Sequence, residues 1–188
     1  MKIFSKDSVF GMILALAVVG IASGAVLVLV YNYSMPKIKV NVNAETDRGI
    51  RKLFFDASRI TYDKEEKIYR VEDETGKLLG YAFIAEGNGY QGVIKLLVGV
   101  NASLSEIMGI EVLESQETPG LGAEIAEPDF RKQFAGLSTA HPIELLKNQE
   151  PTKKYQVEAV TGATISSRAV VSSINRKLEK VRRVLRKK

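Results

Sequence analysis

Cysteine is absent from this chain of 188 residues, and histidine occurs once, at His141. The first absence excludes iron–sulfur ligation, thiolate zinc sites and a disulfide framework. It says nothing about redox compartment, because a cysteine-free chain is compatible with either side of a membrane. The second argues against a histidine-rich metal site or a haem ligation scheme, and His141, next to Pro142 in a loop-like segment, reads as structural or solvated. Any redox or group-transfer chemistry therefore needs an organic cofactor or a partner protein. Basic stripes with interleaved aromatics are also missing outside the carboxyl end, which argues against nucleic-acid binding. The length allows one compact domain and an anchor, not two ordinary domains.

The formal net charge of +5 is unevenly placed. From Arg168 to Lys188 there are nine Lys/Arg and one Asp/Glu, so this tail carries +8 and the other 167 residues sum to −3. A basic tail is most often a solvated helix face; it also suits an anionic lipid surface or an acidic partner patch.

No charged residue lies between Asp7 and Lys37, and Val9 to Tyr31 is an apolar run of 23 residues. As a helix it spans about 35 Å, enough to cross a bilayer core. Tyr31 and Tyr33 fall where an interfacial aromatic belt would lie. A cleaved signal peptide would place its small-residue site at Ala22-Ser23-Gly24, but the apolar run continues through Val30, past where cleavage should end it. The expected organisation is a tail at 1–8, a transmembrane helix at 9–31, a linker at 32–43 and one domain at 44–188. Lys2, Lys6 and the amino terminus before the helix nearly balance Lys37 and Lys39 after it. The positively charged short tail favours a domain facing outward.

Within the domain, a polar helix is expected over Ala44 to Phe55. Strands are expected at Lys67–Glu72, Leu78–Glu86, Val93–Val100, Ile107–Glu114 and Tyr155–Val160, with a hairpin turn at Glu74 to Lys77. Pro128 to Phe134 reads as a short helix with proline at its start. From Ser166 onward, Val171, Ile174, Leu178, Val181 and Leu185 recur at spacings of three and four, the apolar stripe of an amphipathic helix. The fold class is α+β: one amino-terminal transmembrane helix, then an antiparallel sheet flanked by helices.

Chemistry concentrates at Thr161-Gly162-Ala163-Thr164, where the last strand meets the last helix. Gly162 and Ala163 let a ligand approach the backbone closely. A helix amino terminus offers unpaired N–H groups and a positive dipole end, both suited to a phosphate. Thr164 is thus placed to hold a phosphoryl group by hydrogen bonds or as an ester. The plainer reading is a helix cap, since threonine and serine are ordinary N-cap residues. Two further loops bear on the choice. Glu117-Thr118-Pro119-Gly120-Leu121-Gly122 is a rigid, glycine-interrupted loop, and Gly89-Tyr90-Gln91-Gly92 places an aromatic ring between glycines. Three such loops in one small domain fit a planar ligand with a phosphate end.

These three segments resemble the signatures of the FMN-binding domain family. With the amino-terminal helix, the chain resembles the G subunits of Rnf electron-transport complexes, a family related to the C subunit of the Na⁺-translocating NADH:quinone reductase. The resemblance implies FMN joined by a phosphoester to Thr164, with Thr161, Gly162, Ala163, Glu117, Thr118, Leu121, Gly122, Gly89 and Tyr90 around it. It implies a separate flavin transferase for maturation, which fits a threonine with no adjacent histidine to activate it. It further implies an electron-transfer subunit of an ion-translocating ferredoxin:NAD⁺ oxidoreductase in a bacterial cell membrane. The other membrane and iron–sulfur subunits would be its partners, membrane lipid would surround the anchor, and the domain would be extracytoplasmic. Glu158 stands where the family motif has aspartate, three residues before Thr161. Two readings stay open beside this one: a flavinylated anchored domain of another extracytoplasmic electron chain, and a cofactor-free anchored interaction module.

Overall fold

The computed structural model describes residues 9–186 and divides between Ala44 and Glu45 into two compact units. The first unit contains the apolar stretch. Val9–Met35 is long and apolar enough to cross a membrane. Its large side chains, among them Leu16, Ile21, Leu27 and Leu29, are exposed in the isolated protein. A helix apolar all round and not covered by protein needs lipid as its solvent.

Helix α1 runs over Val9–Leu53. The backbone is thus helical through 32–43, where the sequence suggested a linker, and there is no separate helix at 44–55. Pro36 removes one backbone donor. Residues 37–43 contain no glycine, however, and nothing else in them opposes helical geometry. The expected terminal residues 54 and 55 lie beyond the helix end.

The second unit is built on a five-stranded antiparallel meander: β1 (Arg59–Asp63), β2 (Ile68–Glu72), β3 (Leu78–Asn88), β4 (Val93–Asn101) and β5 (Ile107–Glu114), paired in sequence order. Alternation along the strands gives the sheet two apolar faces. Phe83, Ala85, Ile94, Leu96, Val98 and Val100 point to one core, which Val170, Val171, Ile174, Leu178 and Val181 of helix α3 (Thr164–Leu185) close. Ala82, Leu97 and Val71 point to the other, closed by Ile50 and Phe54 at the end of α1. Phe54 lies close on the strand backbone: a Cβ at Gly80 would meet its ring at 2.8 Å, and one at Gly99 at 3.0 Å.

After β5 come a turn of 3₁₀ helix at Gly122–Ala126, a short helix α2 (Pro128–Arg131) and a second 3₁₀ turn at Lys132–Phe134. The expected helix at 128–134 is therefore split. Strands β6 (Glu144–Leu146) and β7 (Gln156–Glu158) form a separate parallel pair. The last strand is shorter than the sequence suggested, and α3 starts at Thr164, two residues earlier than expected.

Side-chain clamps fix α3 along its length. Asn175 accepts the Ile143 N–H and donates to the Ile143 carbonyl, both at 2.9 Å. Further along, the Arg182 guanidinium donates to the Thr139 and Leu104 carbonyls. The middle and the carboxyl end of the helix are thereby held in register with the loops beside them.

Candidate functional site

The three loops singled out in the sequence meet at one carboxylate, Glu117. Its side chain is buried at 7% exposure. It accepts hydrogen bonds from Ser166 Oγ on the first turn of α3 and from the Gln91 N–H at 2.9 Å. The N–H groups of Gly92 and Tyr90 also act on it. Burial by itself would raise the Glu117 pKa; the Ser166 hydroxyl and these N–H groups outweigh it and hold the carboxyl below its ordinary value. The charge is thus spent inside the protein, as a clasp between the β3–β4 hairpin tip, the loop after β5 and the head of α3.

The glycines of the motifs make room for this clasp. A Cβ at Gly89 would lie 2.4 Å from Glu117 Oε1, and one at Gly122 would lie 2.3 Å from Glu117 Oε2 and 2.8 Å from Ser166 Oγ. Gly89 also closes the hairpin, its N–H bonding the Gly92 carbonyl at 2.8 Å. In the second loop the Thr118 carbonyl accepts from Leu121 N–H at 3.2 Å and Ala123 N–H at 3.1 Å, folding the loop back.

At the strand–helix junction Gly162 adopts φ +81°, a left-handed conformation that favours glycine. Leu121 lies against it, 3.4 Å from where a Cβ would project. Ala163 is the N-cap residue and makes no side-chain cap, so Thr164 is the first residue of the helix and is not its cap. This departs from the plain capping reading, in which a threonine hydroxyl would satisfy the helix end. The first backbone bond there is Ser167 N–H to Ala163 O at 3.0 Å. The N–H groups of Thr164, Ile165 and Ser166 precede it and are open donors. Among the described residues none hydrogen-bonds the Thr164 hydroxyl, and Thr164 is partly exposed. Tyr90 (72% exposed), Leu121 (49%) and Ile165 (51%) carry apolar surface on the same three tied segments.

Not every residue picked from the sequence joins the clasp. Thr161 is exposed and lies on the rim of a cavity of about 600 Å³ that Glu124, Glu127, Asp129 and Glu158 also line. Glu158 is held there through its backbone, which exchanges hydrogen bonds with the Gln133 amide at 2.7 and 3.3 Å. His141 is exposed and lies beside Tyr155, with ring centroids 5.0 Å apart. Sequence reasoning missed Ser166 and Ser167. Both are buried: Ser167 Oγ accepts the Val160 N–H at 3.1 Å and donates to the Ala163 carbonyl at 3.0 Å. The available signal was their position four residues before Val170 and Val171, which puts both serines on the core side of the helix.

Residues 89–179 match the FMN-binding domain family, a stretch that begins at Gly89 and contains all three loops. The chain is 32% identical over 173 residues to the G subunit of the ion-translocating oxidoreductase complex of Methanosarcina acetivorans, covering 87% of this chain and 89% of that one. It is 30% identical over 177 residues to the G subunit of the proton-translocating ferredoxin:NAD(+) oxidoreductase complex of Clostridium ljungdahlii, covering 94% and 93%. This chain belongs to the G-subunit family of ion-translocating oxidoreductase complexes. The family fold extends to a more distant protein: the crystal structure of Shewanella oneidensis NqrC superposes with a TM-score of 0.53 at 22% identity, covering 69% of this chain and 73% of that one.

For a domain of this family that binds FMN, the head of α3 has the right chemistry. A phosphate there would meet three open N–H donors and the positive end of a 22-residue helix. The exposed faces of Leu121, Ile165 and Tyr90 offer apolar surface to a planar ring.

Proposed function

We propose that this chain is an electron-relay subunit of a membrane-bound, ion-translocating ferredoxin:NAD⁺ oxidoreductase, carrying FMN as a phosphoester on Thr164. The observation that carries this reading is the convergence on Glu117, which sets a free threonine hydroxyl beside open helix N–H groups. Bound FMN supplies the redox chemistry, and the chain's part is to fix and tune it. Thr164 Oγ would take the phosphoryl group, and the N–H groups of Thr164, Ile165 and Ser166 would neutralise its charge. Leu121, Ile165 and Tyr90 would shield one side of the ring from water. Thr161, Gly162 and Ala163 would shape the approach, with Thr118, Gly122 and Gly89 supporting the loops.

Attachment needs a separate flavin transferase that delivers FMN from FAD. The Thr164 Oγ–phosphorus bond forms as the bridging phosphoanhydride of FAD breaks, AMP leaves and the hydroxyl proton is released. The chain's one histidine, His141, lies beside Tyr155 and not in the Thr164 motif, and the base is assigned to the transferase. Other membrane and iron–sulfur subunits of the complex complete the electron path, since a chain without cysteine ligates no cluster. The domain faces the extracytoplasmic side, where non-covalent FMN, once lost, could not readily be replaced.

The test is intact-mass and in-gel fluorescence analysis of protein made with the transferase present. The expected result is a mass increase of one FMN, lost in Thr164→Val and kept in Thr164→Ser. A native chain of bare polypeptide mass would overturn the proposal.

A further inference from the structure

Inside its two outer edges, β1 and β5, the sheet also leaves part of β3 unpaired on one side. Pairing of β2 with β3 stops at Ile68 opposite Phe83, whereas β3 continues to Asn88 paired with β4 alone. The chain before Ile68 turns back instead of following β3: Lys67 N–H bonds the Asp63 carbonyl at 2.9 Å. An empty lane therefore runs beside residues 84–88. The hairpin fixes which groups face it. Gly89 N–H bonds Gly92 O at the tip, and the register from there to Gly80 has no shift. Alternation then turns Ala85 and Gly87 toward β4 and points the main-chain N–H and C=O of Ile84, Glu86 and Asn88 into the lane.

A groove of about 630 Å³ is lined by these residues, by Tyr62 and Tyr69, and by Lys67, Arg176, Lys177 and Lys180. The two tyrosine rings stack with centroids 4.6 Å apart, an apolar wall. Its cations lack ion-pair partners, as most of the described lysines and arginines do, but here four of them line one concavity. Lys52, Arg70, Lys95, Arg131, Lys132 and Arg183 each have an ion-pair partner. Among the described residues the four groove cations have none, and Glu86 is the one carboxylate in the lining. Burial lowers the Lys177 pKa, with Lys180 and Lys67 acting in the same direction and Glu86 against. Four cations facing a single carboxylate, Glu86, give the concave slot a net positive field.

We propose that this lane docks an extended acidic segment of a partner protein, which adds to β3 as a further strand and sets its carboxylates against Lys67, Arg176, Lys177 and Lys180. The open main-chain groups supply the strand-addition bonds and the cations supply selectivity. A compact phosphate fits less well, because the groove meets α3 in mid-helix, where backbone N–H groups are already bonded and no donors converge. A second copy of this chain would bring the same four cations to the contact and be repelled. The inference is independent of what Thr164 carries.

The test uses the full-length protein in neutral-lipid nanodiscs, titrated with a short peptide alternating glutamate and valine and bearing a neutral dye. The expected result is binding of this peptide and not of its lysine counterpart, with slowed amide exchange at Ile84, Glu86 and Asn88. Arg176→Glu with Lys180→Glu should weaken binding roughly tenfold or more and confer binding of the lysine peptide, an outcome a misfolded variant cannot give. N-methylation of alternate peptide amides should abolish binding. Equal binding of the methylated peptide, unchanged exchange in β3, or indifference to the charge reversals would overturn the proposal. So would equal displacement of the peptide by millimolar inorganic phosphate, or binding only to phosphatidylglycerol vesicles.

Discussion

Replacing Glu117 by alanine asks whether one buried carboxylate holds the three site loops together. In the folded chain it accepts from Ser166 Oγ and from Gln91 N–H at 2.9 Å, with the neighbouring N–H groups of Gly92 and Tyr90 adding to the favourable field. A hydrogen bond to a charged acceptor contributes about 1.5–3 kcal/mol. Ser166, at 1% exposure, would be left as a buried donor, whereas the exposed Gln91 backbone can turn to water. Counting the serine bond in full and the N–H bonds in part gives a loss of roughly 3–4 kcal/mol for Glu117→Ala. Glu117→Gln keeps the volume and one acceptor oxygen and should cost about half as much.

Urea unfolding of the full chain in nanodiscs, followed by far-ultraviolet circular dichroism, measures both. The pH dependence gives an independent check. Because the folded-state pKa of Glu117 is lowered, its stabilisation is fully present above the unfolded-state value, about 4.3, and is lost as pH falls through the lowered folded value. The gap between wild type and Glu117→Gln should therefore be constant from pH 7 to about pH 5 and narrow in stronger acid. An alanine variant as stable as wild type, or a gap that persists unchanged in acid, would refute the clasp.

The sequence made legible what depends on local pattern. Apolar runs bounded by turn signals located four of the five meander strands, and the stripe from Val171 to Val181 marked the buried side of α3. Strand β1 escaped because Arg59-Ile60-Thr61-Tyr62-Asp63 is a short, mostly exposed edge, and its alternation rests on Ile60 and Tyr62 alone. Strand β6 escaped because it has three residues and is specified by its partner across the intervening loop, whereas β7 was anticipated as part of a longer run over Tyr155–Val160. The glycines and Thr164 were legible through motif and local geometry. The Glu117–Ser166 bond was not, since it joins residues 49 apart and neither carries a mark of burial in its own neighbourhood. Glu117 stood out in the sequence only as a motif residue, and the fold shows its carboxylate accepting from Ser166 Oγ and the Gln91 N–H.

Three further outcomes follow from the packing and the anchor. Gly122→Ala forces a methyl to within 2.3 Å of the Glu117 carboxylate, so it should cost about 1–3 kcal/mol and reduce FMN loading by intact mass even with Thr164 in place. Phe54→Ala empties a site at 3% exposure on the opposite face of the sheet; it should cost roughly 3–5 kcal/mol in urea unfolding, while protein that remains folded keeps its FMN. The last concerns topology, where Lys2 and Lys6 before the helix face Lys37 and Lys39 after it. Phe55 is 98% exposed, and the chain has no cysteine, so Phe55→Cys gives a single reactive thiol at negligible cost to packing. With the outer envelope permeabilised and the membrane intact, a membrane-impermeant maleimide should label it without lysis. If labelling instead requires lysis, the domain faces the cytoplasm, where free FMN is replaceable. The advantage claimed for an ester at Thr164, retention of a flavin the cell cannot readily resupply, would then have no basis even if the ester itself were found.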